Sequence, residues 1–227
     1  MRNSAPEIIY EDEAVLVCIK AAGMPVQTAG LGRQDMVSVL KNYRAARKEE
    51  PYLGLVHRLD QPVEGVMVFA KTKMAAAALS RQMADQGMDK CYLAVASGAV
   101  NSGQGRIEDY LLRDGRQNIS RVVPAGTPGA KLARLSYQVL GYTPDGAASL
   151  VRIDLETGRH HQIRVQMANA GFPLEGDRKY NPGWRGSENI ALCSFKIGFV
   201  HPVTKKKMEF SIRPSNKYFE LFEHVNL

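Results

Sequence analysis

Cysteine is scarce in this chain: Cys18, Cys91 and Cys193 are three in 227 residues. They lie far apart, are odd in number and form no Cys-x-x-Cys, which excludes a disulfide framework and a cysteine-based zinc site. Each sits within an apolar run, so they read as buried small hydrophobes in a reducing compartment. No stretch approaches the roughly 20 apolar residues of a membrane span. The opening to Glu13 is polar and acidic, unlike a secretory leader. A cytoplasmic protein without membrane contact is expected. Nucleotide-binding motifs are missing as well. Gly30-Leu31-Gly32-Arg33-Gln34-Asp35 lacks the third glycine of a dinucleotide fingerprint, and no Gly-x-x-x-x-Gly-Lys-Ser/Thr loop occurs. His160 and His161 are adjacent, so they cannot share a helix face as zinc ligands four apart would. There is no Gly-x-Ser-x-Gly elbow, no internal repeat and no low-complexity segment. None of these motifs marks a cofactor or metal site.

What is present suits a globular protein. A 44% hydrophobic share over this length can bury a sizeable core. No linker is visible, so residues 1–227 read as one domain and the protein as a monomer. Lys and Arg number 30 against 23 Asp and Glu, and the pI is about 9.3. That surplus fits either a polyanionic partner or an ordinary basic enzyme.

The pattern along the chain is strand-rich. Glu7 to Tyr10 and Ala14 to Lys20 read as strands, and Asp35 to Lys48 as a helix capped by Asp35 with Met36, Leu40 and Tyr43 inward. Gly30 and Gly32 prolong the loop before it. Val66 to Ala70 is an apolar run expected to be a buried strand. Thr72 caps an Ala-rich helix to about Gln86, with Ala75, Leu79 and Met83 inward and Gly87 at the C′ position. Lys90 to Ser97 is a further strand. Residues 98–130 hold short β segments among many glycines. Leu132 to Tyr142 and Ser149 to Glu156 form a hairpin pair, with Val151, Ile153 and Leu155 facing one way. A helix from His161 to Ala170 turns Ile163 and Met167 inward. Strands at Ile190 to Val200 and Lys207 to Ile212 are joined by His201-Pro202-Val203-Thr204. The sum is an α+β fold.

Two segments place polar residues where a core should be apolar. Leu55-Val56-His57-Arg58-Leu59-Asp60-Gln61-Pro62-Val63-Glu64-Gly65 is a loop of fixed shape before a buried strand, a good seat for a nucleophile or base. The plain alternative is a turn in which Asp60 caps amides and Arg58 pairs with Glu64. Leu155-Glu156-Thr157-Gly158-Arg159-His160-His161-Gln162-Ile163-Arg164-Val165 passes from strand to helix, where free amides and arginines suit an anion. Solvated arginines at an ordinary junction are the alternative there.

Together these segments are specific. His57-Arg58-Leu59-Asp60 with Gly65, Thr157-Gly158-Arg159-x-His161-Gln162-Ile163-Arg164, and Gly171-x-Pro173-Leu174-x-Gly176-Asp177-x-x-Tyr180 follow one another in order. This set resembles the RluA-type pseudouridine synthases. Ile8-Ile9-Tyr10-Glu11-Asp12-Glu13, Lys20-Ala21-Ala22-Gly23-Met24-Pro25-Val26 and Phe199-Val200-His201-Pro202-Val203-Thr204 extend the likeness to nearly the whole chain. The resemblance implies a mixed, largely antiparallel sheet with a central RNA-binding cleft. It also implies isomerisation of a uridine in structured RNA, ribosomal or transfer, without cofactor.

The family's residue roles carry over by position. Asp60 matches the catalytic aspartate, acting on C1′, on C6 or as a base. Tyr92 matches the tyrosine that stacks on the target base. Arg164 matches the basic residue that pairs with the aspartate and keeps it ionised. Arg58 matches the residue that holds the extruded nucleotide. His57, Arg159, His161, Arg178 and Lys179 are further expected RNA contacts. Arg185 and Lys205-Lys206-Lys207 are candidates that also suit a solvated surface.

The sequence departs from the family in places. Val63-Glu64 stands where Thr-Ser is usual, which sets a negative charge near Asp60. His160 replaces a usual Thr, and Leu192-Cys193-Ser194 replaces Leu-His-Ala. No S4-type RNA-binding domain is expected. Two rival readings share these residues: a non-catalytic RNA-binding protein on the same fold, and a glycosidic hydrolase using Asp60 and Glu64.

Overall fold

The structure is a computed structural model that describes residues 7–28, 30, 32, 34–186 and 188–225. The loop expectation at Gly30 and Gly32 falls partly on Leu31 and Arg33, which lie outside the described residues. The chain divides into two compact units. One comprises Met1–Lys90 and Ser194–Arg213, the other Cys91–Cys193 and Pro214–Leu227. Among the described residues no helix is long and apolar enough to cross a membrane.

The first unit opens with a hairpin of β1 (Glu7–Glu11) and β2 (Val15–Lys20). Asp12 makes the turn by accepting the amides of Ala14 and Val15 at 2.8 and 2.9 Å. Leu16, Val17 and Cys18 are wholly buried, as a continuous apolar run requires. Helix α1 (Met36–Ala46) begins at Asp35, whose carboxylate accepts Ser38 N at 2.7 Å while Ser38 Oγ accepts Asp35 N. It buries Met36, Val37, Leu40 and Arg44; Tyr43 instead reaches Glu11 through its hydroxyl at 3.0 Å. A short β3 (Gly54–Leu55) leads to β4 (Glu64–Ala70), which is buried throughout.

Helix α2 (Lys73–Ala84) is capped by Thr72 as expected. Its end differs. The left-handed residue is Gln86 (φ 57), and Gly87 lies one place further on, donating its amide to Gln82 O at 2.8 Å. β10 (Leu192–Val200) and β11 (Lys207–Ser211) form the closing hairpin. The strand order is β1-β2-β4-β10, with β3 on β4 and β11 on β10. Ala14, Val15, Val17, Val66, Val68, Ala70, Leu79, Ile197 and Phe199 share one core. The opening and closing turns meet at the His201–Asp12 contact of 2.9 Å. His201 Nδ1 accepts the amides of Val203 and Thr204, so its proton sits on Nε2, facing that carboxylate.

The second unit has the order β5-β9-β8-β6-β7, from β5 (Asp89–Ser97), β6 (Gln104–Asp114), β7 (Ile119–Val123), β8 (Lys131–Tyr142) and β9 (Ala148–Leu155). Its registered pairings are antiparallel. The short segments expected over residues 98–130 are in fact an 11-residue strand and its hairpin partner. β6 mixes charged and apolar residues without clean alternation, because its charges are matched across strands. Arg106 holds Glu156 with two contacts of 2.8 Å, and Arg134 holds Glu108 at 2.7 Å. Helix α3 (Gln162–Asn169) is buried at every position from Gln162 to Met167, not only at Ile163 and Met167. Each unit sets helical segments against a mostly antiparallel sheet, the α+β architecture expected.

Candidate active site

In the first unit the loop before β4 is pinned from several sides. His57, Leu59 and Val63 turn inward, at 7%, 7% and 2% exposure, while Arg58 is exposed and Asp60 is half-buried. Asp60 O accepts Val63 N at 3.1 Å, closing a turn. Gln61 then ties the loop to the segment after β2: its carbonyl accepts Gly23 N at 2.9 Å, and its amide donates to Gly23 O at 3.0 Å. Lys20 adds a third tie, donating from Nζ to Gln61 O at 3.0 Å. Gly65 ends the loop at φ 148. A side chain there would lie 2.6 Å from Ser194 N and 2.7 Å from its Cα, so only glycine lets the strands approach. A half-buried carboxylate thus projects from a loop whose neighbours are locked.

His57 does not face outward. Its Nε2 accepts Val68 N at 3.1 Å, and burial, reinforced by the Lys90 charge, lowers its pKa to about 4. His57, expected as an RNA contact, lies here as a neutral ring anchoring the Asp60 loop to β4. Glu64 is buried too, at 5% exposure. Burial lowers the Lys20 pKa to about 8, against the opposing pull of the Asp60 and Glu64 charges.

In the second unit the Thr157–Arg164 segment is stapled by Gln162. Its Oε1 accepts Thr157 Oγ1 at 2.8 Å and Arg159 N at 2.9 Å, and its Nε2 donates to Arg134 O at 3.0 Å. The Arg159 amide expected to meet an anion is thus engaged internally. Arg159 is exposed, with Nε on Leu132 O at 2.9 Å. His161 takes the left-handed conformation (φ 54) at the start of α3 and is buried at 7% exposure. Its Nδ1 lies 2.8 Å from Tyr180 Oη, which also accepts Ser120 N at 2.7 Å. The tyrosine hydroxyl is left to donate to Nδ1, so the neutral ring carries its proton on Nε2. Burial and the charges of Arg164, His160, Lys179 and Arg113 push the His161 pKa down to about 2. His161, expected as an RNA contact, thus bonds Tyr180 at the start of α3.

Arg164 is buried and doubly bound to Asp177, Nε to Oδ2 at 2.8 Å and Nη2 to Oδ1 at 2.7 Å. These bonds use two of the guanidinium's five donors. Asp177 also accepts the amides of Lys179 and Tyr180. The guanidinium stands 5.2 Å over the Tyr180 ring. Asp177 is itself placed by Gly176 (φ 74), where a side chain would lie 2.8 Å from the Asn189 carbonyl carbon. Arg178 and Lys179 are exposed, and Lys179 Nζ donates to Asn118 O. Tyr92 lies in β5, opposite Ile153, at 7% exposure. Lys205 donates to Pro202 O at 2.7 Å.

Sequence reasoning assigned no role to Lys20, Asp177 or Tyr180. The last two stand in a quoted motif at a spacing of three, which was their only signal. Lys20 ends an apolar strand and heads the quoted Lys20-Ala21-Ala22-Gly23-Met24-Pro25-Val26 stretch, its only signal. Among the described residues no cluster of three or more His, Cys, Asp or Glu side chains is placed to hold a metal ion.

The antiparallel fold and the carboxylate loop define a class. The sequence profile of the RNA pseudouridylate synthase family matches residues 14–169, and the chain belongs to that family. Among its relatives is uncharacterized RNA pseudouridine synthase YhcT of Bacillus subtilis, 34% identical over 87% of this chain and 65% of the relative. Ribosomal large subunit pseudouridine synthase D of Pseudomonas aeruginosa is 38% identical over 79% of this chain and 54% of that protein. The chain thus spans less than two thirds of these curated relatives. In fold it is similar to human RNA pseudouridylate synthase domain containing 4, with a TM-score of 0.79 and 22% identity, covering 96% of this chain and 92% of that one.

Proposed function

We propose that this protein is an RNA pseudouridine synthase, an isomerase acting on uridine in RNA with Asp60 as its catalytic carboxylate. The observation that carries the reading is the Asp60 loop: one half-buried carboxylate on a backbone tied at Gln61, Val63 and His57, inside the matched family region. Rigid presentation of a reacting group is worth large rate factors. In the reaction the N1–C1′ bond breaks, the freed uracil turns, and C5 bonds to C1′. The hydrogen on C5 leaves as a proton and N1 gains one, so atoms balance without oxidant or cofactor. Tyr92 offers an aromatic face for the base. Arg164, braced by Asp177, is the buried cation that we assign to the reaction. Arg58, Arg159, Arg178 and Lys179 are exposed cations suited to phosphate.

Both units serve one activity in this reading, since the family match runs through both. The substrate we favour is large-subunit ribosomal RNA, because relatives carry that name. We place the protein in the cytoplasm as a monomer; its three free, buried cysteines suit a reducing compartment.

The test is loss of C5 tritium from uridine-labelled RNA, compared between wild type and Asp60→Ala. The wild type should release tritium into water and raise pseudouridine without free uracil. Asp60→Ala should abolish release while RNA affinity stays within a few fold. Full activity in Asp60→Ala refutes the assignment. Free uracil as product would make the protein a hydrolase, and wild-type RNA binding without turnover would make it a binding protein.

A further inference from the structure

Lys20 is the last residue of β2, paired with Gly65 of β4, and its side chain has no exposure to solvent. A buried ammonium is costly unless its protons and its charge are both answered. The three protons are answered by carbonyls: Met24 O at 2.7 Å, Gln61 O at 3.0 Å and Ala21 O at 3.1 Å. These partners are neutral, so the charge must be balanced elsewhere. Glu64, adjacent to Gly65, is a buried carboxylate at 5% exposure, and Asp60 directly precedes the bonded Gln61.

We propose that Lys20 and Glu64 are positioning residues, a buried charge pair that locks the Asp60 loop to the end of β2 and balances the catalytic carboxylate. The proposal rests on the assignment of Asp60 above. Two carboxylates close together repel, and moving one charge closer would disfavour ionisation of the other. One ammonium between β2 and the loop offsets both. It also fixes the backbone at Gln61, so the same group sets position and charge. This gives the buried Glu64 a counter-charge. Burial is the largest influence on the Lys20 pKa, and the charges that act against it are those of Asp60 and Glu64.

The direct test is side-chain NMR of the full chain with labelled lysine. The Lys20 ammonium should titrate near pH 8. Asp60→Asn and Glu64→Gln should each lower that midpoint by roughly half a pH unit or more, since each removes an attractive charge. Midpoints unmoved by both substitutions overturn the proposal, as does titration at an ordinary lysine value. In parallel, Lys20→Met should lower kcat roughly 10- to 100-fold with KM for RNA within a few fold, the signature of lost positioning. Lys20→Met combined with Glu64→Gln should recover part of that loss, because no uncompensated glutamate remains. A folded Lys20→Met with wild-type kcat also overturns it. The NMR readout needs no activity, so it is separable from failure of the Asp60 assignment, which Asp60→Ala reports.

Discussion

Replacing Asp177 by asparagine removes one charge from a buried pair and little else. The side chains of Arg164 and Asp177 are 5% and 0% exposed, with contacts of 2.7 and 2.8 Å. Asparagine keeps an oxygen for the amides of Lys179 and Tyr180, so the turn survives. Its amide nitrogen, however, would face an Arg164 donor, and the guanidinium loses the Asp177 charge. Breaking such a pair from one side costs about 3–5 kcal/mol. At roughly 2–4 °C per kcal/mol for a chain of this size, the melting temperature should fall by about 6–20 °C. Thermal melts by circular dichroism measure this, and turnover of labelled RNA should drop at least about tenfold at a temperature where the variant is folded. The companion variant Arg164→Met/Asp177→Leu should regain most of the stability, since apolar pairs often replace buried ions at no loss, yet stay inactive. A melting temperature within 2 °C or so of wild type for Asp177→Asn would refute the claim that this pair braces the site.

Gly65→Ala should destabilise the protein by about 2–6 kcal/mol. Its backbone conformation costs a side chain about 1–3 kcal/mol, and collision with Ser194 adds about 1–3 kcal/mol. The urea midpoint should fall, and an unchanged midpoint with an unchanged slope would contradict the close approach. His57 sets an acid limit. Its folded pKa, about 4, lies below the unfolded value of about 6.5, so the unfolded chain binds more protons between them. Stability should therefore be complete above pH 6.5 and decline as pH falls towards 4, by about 3 kcal/mol in all. His57→Gln, which keeps an acceptor for Val68 N, should flatten that part of the pH–stability curve. Identical slopes for the two proteins would discount the buried ring.

Much of the frame was legible in local chemistry. Asp35 and Thr72 cap helices because a short polar side chain before an apolar period can hold the first amides. Val66 to Ala70 is a buried strand because five apolar residues in a row leave no face for water. β6 was missed because its charges are satisfied by Arg134 on the neighbouring β8 and by Glu156 just past β9, partners that no local window contains. α3 was misread as one-sided because burial on every face erases the period that marks a surface helix.

For the site, the sequence by itself determined the family, the candidate carboxylate Asp60 and the ordered motifs around it, since residue identity and spacing are what a motif records. Tertiary structure alone decided what each polar residue in those motifs does. His57 and His161, read in sequence as RNA contacts, are buried, with ring nitrogens on Val68 N and Tyr180 Oη. Arg164 finds a buried partner in Asp177, thirteen residues on, beside a turn where Gly176 packs against the Asn189 backbone. Lys20, forty residues before Asp60, bonds the loop beside it because β2 and β4 pair in the register that sets Lys20 opposite Gly65. Charge and hydrogen bonds act over ångströms, not along sequence, and only the fold sets those distances.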